Sequence, residues 1–103
     1  MNIRANRNWL LAALLCLGSV LVSAHPGHEF HVEGTVSKVR SQQFEVDEGE
    51  RGKTVFEVVP GTEIFLNNAR ARVADIVVGR LAEVDGVEND RGLIEAKQVK
   101  LTR

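Results

Sequence analysis

The chain has 103 residues, 13 Lys and Arg against 14 Asp and Glu, three His and one Cys. That length allows one domain at most and leaves no room for a deep active-site cleft. The near-balanced charge gives no basic field of the kind a nucleic-acid partner needs.

Residues 1–24 read as a secretory signal peptide. Arg4 and Arg7 supply the positive start, Leu10 to Val22 an apolar run, and Val22-Ser23-Ala24 the small residues of a cleavage site. The run is too short for a bilayer span, which takes about 20 residues. Cys16 follows Ala13-Leu14-Leu15 and lacks the small residue expected just before a lipidated cysteine. Cleavage after Ala24 removes Met1, Trp9, Cys16 and both arginines, and keeps all 14 acids. The product is then net acidic, exported to a periplasm or beyond the cell, and has no membrane span. It has no disulfide, no thiol catalysis and no methionine or thiolate metal site.

All three histidines fall in residues 25–31, His25-Pro26-Gly27-His28-Glu29-Phe30-His31. Neutral imidazole is a common ligand of copper and zinc, and clustering lowers the entropy of closing a chelate. Cleavage adds a free α-amino group to His25, so amine and ring together can grip Cu(II), with His28 or His31 completing the set and Glu29 adding an oxygen. The candidate metal ligands are therefore His25, His28 and His31. An N-terminal motif with His third does not fit, because His28 is fourth and Pro26 has no amide proton to lose. The competing expectation is a solvated tail, with His31 facing water beside Glu33.

From Phe30 the pattern alternates with period two: Phe30, Val32, Gly34 and Val36 share one face, and His31, Glu33, Thr35 and Ser37 the other. Gln43 to Asp47 is a second strand with Phe44 and Val46 on one side. A polar connection, Glu48 to Lys53, suits a hairpin loop. Thr54 to Val59 form a third strand that Pro60-Gly61 stops, with Glu63 to Leu66 continuing it beyond a bend. Asn67-Asn68 marks a turn. Over Ala69 to Gly79 the spacing of Val73, Ile76 and Val77 predicts a short helix, ended by Gly79. Arg80 to Val87 returns to strand, with a bulge expected near Leu81 and Val84. Asn89-Asp90-Arg91-Gly92 turns the chain into a last strand, Leu93 to Leu101.

The fold class expected is mainly β: a small five-stranded OB-like barrel over residues 32–103, with one short helix between strands three and four. A five-stranded sheet with a helix across it is the rival, and closure is favoured because it removes exposed edges. Catalysis is not expected, since the body of the fold offers Ser37, Ser41 and the threonines no activating base. The four Phe fit a core, and there is no Tyr, which again argues against nucleic acid. Asp47-Glu48-x-Glu50 lacks the ligand order of a calcium loop and reads as a solvated turn; Arg70 and Arg72 read as a solvated face.

Gly34-Thr35-Val36, Thr62-Glu63-Ile64, the run from Gly79 to Val84-Asp85-Gly86, and Ala96-Lys97-Gln98-Val99 together give a pattern that resembles domain of unknown function 5666. The resemblance covers Gly34 to Leu101 and implies an OB-like barrel and export, with no activity. A looser similarity, in the Gly34-to-Val39 strand, links the chain to small periplasmic copper chaperones of the Cus type. Their site of His, two Met and Trp has no counterpart here once residues 1–24 are gone. Two functions follow as expectations: an exported binding protein that takes copper or zinc through its histidines, or a non-catalytic module binding a periplasmic protein or an oligosaccharide.

Overall fold

The computed structural model describes residues 27–103, so the expected signal peptide, residues 1–24, and His25 lie outside the described residues. Among the described residues six strands are formed: β1 Glu29–Arg40, β2 Gln43–Asp47, β3 Lys53–Leu66, β4 Ala69–Arg70, β5 Leu81–Glu88 and β6 Ile94–Thr102. Five of them close a barrel. β1 pairs antiparallel with β2, β2 with β3, β6 with β5 and β5 with β1, and the remaining pair, β3 with β6, is parallel. β4 adds two residues to the end of β3. The rival, an open sheet covered by a helix, is thereby excluded.

β1 takes part in both halves of the wall. Its residues Glu29–Thr35 pair with β5, and from Thr35 to Arg40 it pairs with β2. The strand changes partner at Thr35, next to Gly34, where a Cβ would run into the carbonyl of Asp47. Glycine here is a requirement of close approach. The second such position is Gly86, whose missing side chain leaves room for Ile94 and the ring of Phe56.

Alternation puts Val32, Val36, Phe44, Val46, Phe56, Ile64, Ala82, Val84, Ala96, Val99 and Leu101 inside, all nearly or fully buried. Phe44 and Phe56 are cross-strand partners, their rings 5.5 Å apart and near-parallel. Such a pair adds about 0.5–1.5 kcal/mol beyond its buried area.

Pro60-Gly61 does not end β3, as expected, but lies within it. Between Val58 and Glu63 the parallel register with β6 shifts. The Thr62 hydroxyl spans the gap, accepting the Val59 N–H at 3.0 Å and donating to the Ala96 carbonyl at 2.6 Å. Pro60, which has no N–H to offer a ladder, thus sits at an irregularity where none is needed.

The expected helix between the third and fourth barrel strands does not form. Asn67 and Asn68, both at positive φ (51° and 72°), fold Ala69–Arg70 back onto β3 as a hairpin. What remains makes a single 3-10 turn, Val73–Asp75, in which the Asp75 carboxylate accepts the Arg72 N–H at 2.9 Å. Val73, Ile76, Val77 and Val78 are β-branched, and too few residues are left to offset the cost of helix nucleation. Of the face expected to turn inward, only Ile76 is buried.

The bulge also moves. β5 alternates strictly, with Ala82, Val84 and Gly86 inward and Leu81 exposed. The irregularity is on β6, where Asp85 pairs with Gln98 and Gly86 with Ala96, leaving Lys97 unpaired. That extra residue lets Ala96 and Val99, three apart, both face the core.

Candidate metal site on the barrel wall

Val32 and Val84 are paired and buried, and they fix the register of β1 against β5. With period two, their neighbours must face outward. His31 then lies directly across from Asp85, and Glu33 directly across from Glu83. Four titratable side chains meet on one patch of wall.

The His31 ring is held at both nitrogens. Nδ1 lies 2.6 Å from Asp85 Oδ1, and Nε2 lies 3.2 Å from Glu33 Oε2 and 3.3 Å from Glu83 Oε2. Ionised carboxylates only accept, so in the imidazolium form Nδ1 donates to Asp85 and Nε2 to Glu33. The hydrogen bond to Asp85, then that to Glu33, raises the His31 pKa above its ordinary 6.5. One ligand atom each from His31, Glu33 and Glu83 lies within 4.8 Å of the others, close enough to share an ion. The group is open to water, with about half of the His31 side chain exposed. Lys100, the β6 partner of Glu83, flanks it with a positive charge.

The structure treats the expected ligands differently. His25 lies outside the described residues. His28 precedes β1, and its ring packs 4.7 Å from that of Phe30, centroid to centroid. Phe30 packs against the core, on the face of β1 opposite to His31. His31 is thus brought together with carboxylates. Glu33 was in view from its place on the His31 face; Glu83 and Asp85 were missed. Their signal was the alternation of β5, obscured by assigning an irregularity to Leu81 and Val84.

The acidic loop after β2 is occupied with its own turn: Asp47 Oδ1 accepts the Gly49 N–H at 2.8 Å, and Glu48 accepts the Thr54 hydroxyl at 2.9 Å. Among the described residues no helix is long and apolar enough to cross a membrane.

No protein-family model, curated protein or solved structure matches this chain.

Proposed function

We propose that the protein is an exported, non-catalytic OB-like barrel that binds a divalent metal ion, copper or zinc, on its wall through His31, Glu33 and Glu83. The pairing order β1-β2-β3-β6-β5-β1, with one parallel seam, supports the OB-like class. The leader read in residues 1–24 supports export.

The observation that carries the metal reading is that one ligand atom each from His31, Glu33 and Glu83 lies within 4.8 Å of the others, two of these separations being set by Nε2. A four-coordinate ion with nitrogen and oxygen ligands at roughly 2.0–2.2 Å holds adjacent ligand atoms about 3.3–3.5 Å apart. Glu33 Oε2 and Glu83 Oε2 stand at 3.2 and 3.3 Å from Nε2. Two carboxylates also balance the charge of a divalent ion, and an open fourth position remains for water or a further ligand. The set expected from sequence, His25, His28 and His31, competes with this one and shares only His31 with it.

Calorimetric titration with Cu(II) and Zn(II) separates them, using protein tagged at the C-terminus. On this proposal one ion binds, His31→Ala and the Glu33→Gln/Glu83→Gln pair each abolish binding, and His25→Ala/His28→Ala leaves it within about threefold. Loss on His25→Ala/His28→Ala with retention in the glutamate pair assigns the ion to the tail. No binding by the unmodified protein ends the metal reading.

That last outcome favours a module for a protein or oligosaccharide partner. It draws on exposed apolar side chains at one end of the barrel, Val77, Val78 and Leu81, the last two more than half exposed.

A further inference from the structure

Asp85 is too well placed at Nδ1 to be only a cross-strand neighbour, and its role deepens the metal reading on which it rests. A neutral imidazole carries one proton and offers the other nitrogen as donor; which nitrogen is free decides where a metal can sit. In solution that proton has no fixed place. Here the Asp85 carboxylate stands 2.6 Å from Nδ1, a short charge-assisted contact, while Nε2 has two longer ones at 3.2 and 3.3 Å. The shorter contact places the ring proton of the neutral imidazole on Nδ1, and the Nε2 lone pair then faces Glu33 and Glu83.

We infer that Asp85 is the positioning residue of a zinc site: by holding His31 in its Nδ1–H tautomer it presents Nε2, together with Glu33 and Glu83, to Zn(II). The carboxylate–histidine–metal relay is a general way of fixing ring orientation and raising ligand basicity, and its loss typically costs tenfold to a hundredfold in affinity. An imidazole in the set selects against Mg(II), which prefers oxygen alone and near-octahedral geometry, with neighbouring ligand atoms only about 2.9 Å apart. The backbone supports the arrangement, because His31 and Asp85 are partners across a ladder fixed by buried Val32 and Val84.

Two measurements on the same proteins test this. Nitrogen-15 NMR of the His31 ring in the metal-free protein, at a pH where the ring is neutral, reads the tautomer. Titration with Zn(II) and with Mg(II) reads the site. The unmodified protein is expected to be the Nδ1–H tautomer and to take Zn(II) at least a hundredfold more tightly than Mg(II). Asp85→Ala is expected to release the ring toward the Nε2–H form and to weaken Zn(II) tenfold or more. Asp85→Asn, which keeps an acceptor oxygen, is expected to keep the tautomer and lose less. Asp85 is half exposed, so neither change threatens the core. If the unmodified ring is the Nε2–H tautomer, or if Asp85→Ala binds Zn(II) as tightly as the unmodified protein, the positioning role is overturned while the metal reading stands. If the unmodified protein takes no Zn(II), both fall together.

Discussion

Glu33 and Glu83 are like charges placed directly opposite each other, an arrangement that destabilises an antiparallel ladder unless a cation answers it. His31 supplies that cation when protonated, and Asp85 and Glu33 hold its proton. The sign follows from the direction of the shift. A pKa raised on folding means that protonated His31 favours the folded state fully at pH below 6.5, and that this contribution is lost as pH rises through the raised value. Proton NMR titration of the metal-free protein should therefore place His31 above 6.5, and Asp85→Ala should bring it back toward 6.5, the Asp85 hydrogen bond being the largest cause. A His31 midpoint at or below 6.5 in the unmodified protein would contradict the observed contacts. At this scale the sequence was half legible. His31 and Glu33 are two apart on one strand, so period two alone puts them together. Glu83 and Asp85 lie about fifty residues away, and only the pairing of β1 with β5 joins them.

Among the elements, those that alternate without interruption were readable. Phe44 and Val46 point inward as their spacing required, and Val32 and Val36 do the same. The errors fall where one residue type served two periodicities. Val73, Ile76 and Val77 satisfy the helical spacing, yet the two asparagines ahead of them commit the chain to a hairpin first. Ala96 and Val99 break alternation because Lys97 is an extra residue on β6, a fact visible only from the partner strand. Gly34 is the element-scale feature whose importance is easiest to test. A methyl group there meets the Asp47 backbone, which cannot swing aside as a side-chain tip would. Gly34→Ala should lower the unfolding free energy by about 1–3 kcal/mol, in the range of overpacked sites, seen as a lower denaturant midpoint at unchanged slope. An unchanged midpoint would show that β1 can move away from β2 at no cost, and that the approach of Gly34 to the Asp47 backbone is not tight.

For the molecule as a whole, closure decides which chemistry is available. The parallel seam between β3 and β6 joins residues far apart in the chain, and no local pattern announces it. Once closed, the barrel buries Phe44, Phe56, Val84 and Val99 in its interior. The titratable groups that meet, His31, Glu33, Glu83 and Asp85, stand on its outer wall. Buried Val32 lies between His31 and Glu33, and Glu83 lies between buried Ala82 and Val84, so the backbone beneath these three side chains is anchored before any ion arrives. This favours a wall site over one assembled from His25, His28 and His31. X-ray absorption at the zinc edge of the one-to-one Zn(II) complex tests that choice most directly, since it counts imidazoles around the ion. One imidazole is expected, with the remaining ligands oxygen at about 2.0–2.2 Å; two or three imidazoles would contradict a site on the wall.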